Sequence, residues 1–224
     1  MAEAIVVAIV GAESTGKTLL AQALAQRLSR EHGLRAAWVP EWLRPWCDEH
    51  ARTPQREEQA GIAAAQSALI DEAARGHDIV LADTTALMTA VYSHTVFGDD
   101  SLDAMAVAAH RRCRLTLLTG LDMPWEPDGL QRDGPHVRPP VDARLRTLLH
   151  AHGFAYSVIL GRGAQRERAA LQVLARELAP LLGAGGADST FAEAAATRAG
   201  APLLRAATAP TAPSGLPAAG CAPG

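Results

Sequence analysis

The sequence predicts an α/β domain, a parallel five-stranded sheet with helices on both faces, followed by a low-complexity tail. Three observations carry this. Short β-branched apolar runs alternate with longer helical patterns, the arrangement of repeated strand–helix–strand units. The first run, Ile5-Val6-Val7-Ala8-Ile9-Val10, is apolar throughout, as a strand buried on both faces of a parallel sheet must be. From Gly183 onward the chain is mostly Ala, Gly, Pro, Thr and Ser, too poor in apolar surface to offset the entropy of ordering it. The folded domain is therefore expected over 1–183. A disordered tail is expected over 184–224, with at most a short helix around Phe191–Ala199.

The elements follow in order. Lys17 to His32 reads as a helix with Leu20, Leu24 and Leu28 on one face, and Gly33 stands where a left-handed cap is usual. Ala36–Val39 is the second strand. Thr53 and Pro54 suit the N-cap and first position of a long helix whose buried stripe includes Ile62, Leu69 and Ala73. Asp78–Ala82 forms the third strand and closes on Asp83; Leu115–Leu118 forms the fourth and Tyr156–Leu160 the fifth. A final helix spans Ala164–Leu182, with Arg166-Glu167-Arg168 on its exposed surface. In such sheets ligands bind at the carboxyl ends of the strands.

Composition narrows the function classes. The 224 residues hold one domain plus an appendage; 48% are hydrophobic and 20% charged, which excludes a wholly disordered chain. With 21 basic and 24 acidic residues, the net charge of −3 gives no electrostatic case for nucleic acid or an anionic membrane as partner. Cys47, Cys113 and Cys221 lack CxxC spacing, so neither a zinc site nor a disulfide framework is indicated. His150 and His152 do not share a helix face, which argues against a metal site there. The N-terminus lacks the basic region of a signal peptide, and the run Ala4–Val10 is too short for a bilayer span. A cytoplasmic location is expected.

The chemistry concentrates in Gly11-Ala12-Glu13-Ser14-Thr15-Gly16-Lys17-Thr18, which satisfies G-x-x-x-x-G-K-T between a strand and a helix. Gly11 and Gly16 let the backbone bring its N–H groups, including those of Glu13, Ser14 and Thr15, against phosphate oxygens. Lys17 is suited to the β- and γ-phosphates of ATP, and the Thr18 hydroxyl to Mg²⁺. The helix N-terminus adds partial positive charge. Asp83, closing an apolar strand, is placed as the second Mg²⁺ ligand of a P-loop NTPase fold; alone, it reads equally as a turn residue.

Four blocks occur in order: the phosphate loop, Pro40-Glu41-Trp42-Leu43-Arg44, Asp83-Thr84-Thr85 through Phe97-Gly98, and Trp125-Glu126-Pro127-Asp128-Gly129-Leu130. Together they resemble the ribosylnicotinamide kinase domain of NadR-type proteins and their stand-alone relatives, over roughly residues 4–182. The resemblance implies ATP-dependent phosphorylation of the 5′-hydroxyl of nicotinamide riboside to the mononucleotide in NAD salvage. Its partners would be a nucleoside triphosphate and a small nucleoside-like acceptor. On this reading Glu41 is the general base and Arg44 pairs with it or reaches a phosphate; a salt bridge at a helix start explains the same pair. Trp42 and Tyr92 fall where the family carries aromatics, which a pyridinium ring favours, although core packing accounts for both. Met123–Pro140 reads as a loop over the nucleotide, with Arg132 and Arg138 as candidates to neutralise the transferring phosphoryl group. Asp128 would orient that loop or contact the ribose, and Gly161-Arg162-Gly163 would border the adenine.

The chain departs from the family at three points. Gln131 stands where relatives place a lid arginine, which moves to Arg132 or Arg138. Thr85 replaces an acidic or amide residue. The phosphate loop begins at residue 11, so the adenylyltransferase and DNA-binding domains of multifunctional relatives are not expected upstream of it. Two alternatives remain open: a kinase for another nucleoside or metabolite, and a regulatory ATP-binding or ATPase module without kinase activity.

Overall fold

The computed structural model describes residues 3–126 and 134–182. The expected tail over 184–224, and within it the short helix at 191–199, lies outside the described residues. Five strands form the sheet: β1 (Ile5–Val10), β2 (Ala36–Val39), β3 (Ile79–Asp83), β4 (Leu115–Thr119) and β5 (Ser157–Ile159), in the order β2-β3-β1-β4-β5 and parallel throughout. Among the described residues, seven α-helices accompany them: α1 (Lys17–His32), α2 (Leu43–His50), α3 (Gln59–Gly76), α4 (Ala86–Phe97), α5 (Asp103–His110), α6 (Arg138–Ala151) and α7 (Gly163–Leu182). No described helix is long and apolar enough to cross a membrane.

Side chains on a strand alternate between sheet faces, and β1 uses both faces. Val7 and Ile9 pack with Leu20, Leu24 and Leu28 of α1 and with Ala170, Leu174 and Leu178 of α7. Ala8 and Val10 face the opposite way, against a cluster built from α4, α5 and α6. Val6 joins Val39, Val80, Ala82 and Ile70 of α3. The central strand is therefore sandwiched, which is why it carries no polar residue. Gly33 has φ 65° and donates to the Leu28 carbonyl oxygen, closing α1 as a left-handed cap.

Two local expectations change. Thr53 and Pro54 do not start α3; a 3₁₀ turn at Arg56–Glu58 precedes it, and Gln55 and Glu58 form a reciprocal capping box. The proline-rich stretch is not loop through Pro140. A 3₁₀ turn at Pro135–Val137 leads into α6 at Arg138, with prolines in the first turn, where a missing N–H costs nothing.

One polar group in the core has a thermodynamic consequence. His110, at the end of α5, is buried among Thr85, Thr116 and Phe154, with Nε2 2.9 Å from the Thr116 hydroxyl oxygen and Phe154 packed edge-on at 4.8 Å. Burial lowers its pKa from 6.5 to about 4. The unfolded chain then binds the extra proton first, so stability is full above pH 6.5 and is lost as pH falls toward 4. A shift of this size amounts to roughly 3 kcal/mol once fully expressed below pH 4. We predict that chemical denaturation of His110→Gln shows a flatter stability–pH curve than wild type between pH 6.5 and 4. Parallel curves would refute the assignment.

Candidate functional site

The carboxyl ends of β1, β2 and β3 converge on one region. The loop from Gly11 to Gly16 leaves β1 through three residues of positive φ: Gly11 (148°), Ser14 (52°) and Gly16 (74°). Such a path is open to glycine and strained for other residues, so it needs support. Thr119, at the end of β4, donates its hydroxyl to the Val10 carbonyl oxygen and lies 2.7 Å from the Thr15 hydroxyl. Thr15 in turn reaches the Ala12 carbonyl oxygen at 2.6 Å. The Ser14 hydroxyl donates to the Glu126 carbonyl oxygen and accepts from the Glu126 N–H, fastening the segment after β4 onto the loop. Lys17 folds back to donate to the Ala12 carbonyl oxygen at 3.0 Å.

A buried arginine holds the other side of the loop. Arg166 of α7, only 3% exposed, donates to the Thr15 and Gly161 carbonyl oxygens and pairs with Asp122 at 2.7 Å. Asp122 also accepts from the Gly161 N–H at 2.7 Å. The expectation that Arg166-Glu167-Arg168 forms exposed surface is thus wrong at Arg166, which ties the loops after β4 and β5 to the phosphate loop. Desolvation lowers its pKa, opposed by Asp122, so the ion pair and backbone acceptors are what make its burial tolerable.

Asp83 sits at the end of β3, 1% exposed, with neither carboxylate oxygen at normal hydrogen-bond geometry to any partner among the described residues. Burial raises its pKa, opposed by the Lys17 charge, the Thr18 hydroxyl and the Arg44 charge. A buried carboxylate left in this condition suits a cation, and the hydroxyl beside it is the donor a Mg²⁺ site requires. Thr18 and Asp83 therefore fit the ion. The next residue, Thr84, is a β-branched residue at φ 78°, a strained conformation.

Two cavities open over these groups. One, of about 480 Å³, is lined by Ser14 to Leu19, Glu41, Arg44, Met123, Pro124 and Glu126. The other, of about 510 Å³, is lined among others by Glu13, Lys17, Glu41, Arg44, Gln59, Tyr92 and Phe97. They share Lys17, Glu41 and Arg44. Arg44 and Glu41 form a 3.6 Å ion pair at the start of α2, so the salt bridge weighed from the sequence is real and stands between the two cavities.

The other sequence-derived residues fall as follows. Tyr92 lines the second cavity, as does Glu13, which was expected with the phosphates. Trp42 is not brought to either; it lines a separate groove with Trp46 and His50. Arg138 is buried rather than exposed, donates to the Met123 carbonyl oxygen at 2.9 Å, and leaves Nε and Nη2 without hydrogen-bond partners among the described residues. Arg132 and Asp128 lie outside the described residues.

Residues 6–168 match the family model described as AAA domain. The chain belongs to the AAA-domain family. Among solved structures, this AAA-domain protein is similar to a NadR protein in complex with NR, at 19% identity and a TM-score of 0.61, over 78% of this chain and 51% of that one. It thus spans about half the length of that relative. It is also similar to thymidylate kinase from Ehrlichia chaffeensis, at 14% identity and a TM-score of 0.54, over 77% of this chain and 98% of the other. None of the curated proteins compared matches. At these identities the likeness establishes the fold, a parallel α/β sheet with a phosphate loop after its first strand.

Sequence reasoning missed Thr119, Arg166 and Gln66, a buried glutamine of α3 discussed below. Two of them carry a signal: Arg166 heads the stripe Ala170, Leu174, Leu178, and Gln66 interrupts Ile62 and Ile70, each at four-residue spacing. A polar side chain within a buried helical stripe must meet a buried partner.

The backbone path around the loop gives a direct test. A Cβ on Gly11 would overlap the Thr119 hydroxyl and lie 2.9 Å from its carbonyl oxygen, whereas one on Gly33 meets nothing. Gly11→Ala should cost about 3 kcal/mol or more and abolish nucleotide binding; Gly33→Ala should cost about 1 kcal/mol and leave binding intact. Denaturation curves with ATP titrations check both, and equal costs would contradict the packing described.

Proposed function

We propose that this AAA-domain protein is an ATP-dependent small-molecule kinase whose acceptor is a nucleoside, with nicotinamide riboside the favoured substrate and nicotinamide mononucleotide the product. The observation that carries the reading is the pair of cavities meeting at Lys17, Glu41 and Arg44. One has the loop and helix terminus that hold a polyphosphate. The other is a concave site with aromatic and polar walls, suited to a small organic acceptor. A hydroxyl entering from the second cavity reaches the terminal phosphate of a nucleotide in the first.

The residues divide the work accordingly. Lys17 neutralises the β- and γ-phosphates, and the backbone N–H groups of Gly11 to Gly16 cradle them. Glu41 accepts the acceptor's hydroxyl proton; the acceptor's hydroxyl oxygen bonds to the γ-phosphorus as the bond from that phosphorus to the β-phosphate oxygen breaks and ADP departs. Arg44 orients Glu41. Arg138, whose guanidinium keeps N–H groups without partners among the described residues, neutralises charge on the transferring group, with Arg132 as a second source. Thr18 and Asp83 would hold Mg²⁺, which when bound supplies electrostatic stabilisation of the transferring phosphoryl group.

The walls of the acceptor cavity favour a pyridinium nucleoside. Glu13 and Glu41 line it together with Lys17 and Arg44, while Arg52 is held by a bidentate pair with Glu58 at 2.7 Å. With the charges of the lining opposed to one another, Tyr92 and Phe97, which offer aromatic faces to a cationic ring, are what support the choice.

Incubation with Mg-ATP and a panel of nucleosides and their monophosphates tests this. Nicotinamide riboside should be converted to the mononucleotide. Glu41→Ala should lower kcat by about a hundredfold or more with ATP affinity nearly unchanged. Transfer to no acceptor despite tight ATP binding would favour a nucleotide-binding module without kinase activity.

A further inference from the structure

We propose that Gln66 is a positioning residue that sets the general base Glu41 and locks it to the metal-side turn at Asp83-Thr84. The proposal rests on the kinase reading above. Gln66 lies in the middle of α3 and is 2% exposed, between Ile62 and Ile70 on the stripe that faces the sheet. Its Oε1 accepts the Trp42 N–H at 2.7 Å, and its Nε2 donates to the Pro40 carbonyl oxygen at 3.3 Å. One side-chain amide thus holds the residues on either side of Glu41. The same Nε2 lies 3.5 Å from the Thr84 carbonyl oxygen. The amide orientation is dictated by its partners, since an N–H needs the oxygen and two carbonyls need the nitrogen.

The segment it holds has no strand partner of its own. β2 ends at Val39 and α2 begins at Leu43, so Pro40 to Trp42 lack ladder bonds on both sides. A carboxylate on a free connector would sample several positions, whereas proton abstraction needs a fixed one, and small displacements are costly. The second contact reaches a strained residue. Thr84 has φ 78°, and its N–H donates to the Ile9 carbonyl oxygen at 3.0 Å. Strain of this kind persists only where the surroundings over-determine it. Gln66 supplies one of those constraints, so β2, β3 and the turn after the metal-binding aspartate move as a unit. Glu41, Gln66 and Thr84 also line the same small recess beneath the acceptor cavity, with Tyr92 and Thr89.

The test compares Gln66→Met, Gln66→Glu, Glu41→Gln and the double variant Gln66→Met/Glu41→Gln as full chains, with Mg-ATP and the best wild-type acceptor. Each Gln66 variant should lower kcat about tenfold or more, with KM for ATP within about twofold. Adding Gln66→Met to Glu41→Gln should cost no further factor, because the amide acts through that carboxylate. Gln66→Glu preserves volume and the Trp42 acceptor, so it keeps the test readable if the methionine variant fails to fold. Losses that multiply in the double variant, or a Gln66 variant with wild-type kcat, would overturn the clamp while leaving the kinase reading in place. A wild type inert toward every acceptor would instead overturn the kinase reading, and the clamp with it.

Discussion

A backbone that offers its N–H groups to a phosphate cannot spend them on itself, so the loop from Gly11 to Gly16 must be held from behind. That constraint organises the carboxyl edge of the sheet. Three residues of the loop take positive φ, and each neighbouring element contributes a tether: Thr119 from β4, Glu126 from the segment beyond it, Arg166 from α7. Close approach of Thr119 to Gly11 leaves no space for a side chain there. The glycine is therefore required twice, by φ and by contact.

Charge is distributed on the same principle. Lys17, Arg44, Glu41 and Asp83 are gathered at one spot, and Asp83 is buried with no ordinary hydrogen-bond partner among the described residues. A fold optimised only for stability would not keep such a group, since burying a carboxylate in this way is unfavourable. Arg166 and His110, by contrast, are buried with partners: Asp122 and two carbonyl oxygens for the first, threonine hydroxyls for the second.

How much of this was legible follows from what each signal depends on. Strand and helix positions were, because periodicity is local: β1, α1 and β2 fall where the apolar runs place them, and Gly33 caps α1 as its position implies. The phosphate loop was legible because its chemistry requires fixed residues at fixed spacing. Boundaries set by competition were not. Thr53-Pro54 is a sound helix start in isolation, yet the capping box of Gln55 and Glu58 lies nearer the helix and takes that role. Arg138 looked like a loop residue because prolines surround it, and prolines in a first turn read the same way. The assignment of Trp42 to an acceptor site rested on type and order alone, and which side of a short connector faces which cavity is a tertiary property.

Gln66 and Arg166 show why some functional residues stay hidden even when their signal is present. Each interrupts an apolar stripe at four-residue spacing, which marks it as buried and polar but says nothing about its partner. Their partners are main-chain atoms at strand ends, such as Pro40, Trp42 and Thr84 for Gln66, and Thr15 and Gly161 for Arg166. Main-chain groups carry no sequence code, so no pairing of residue types could reveal these contacts. In a parallel sheet the strand ends are where backbone groups run out of ladder partners, and they are also where ligands bind. A buried polar side chain on a covering helix is therefore drawn to the same edge as the substrate, and an unexplained glutamine or arginine in such a stripe is a place to look for the supports of the chemistry.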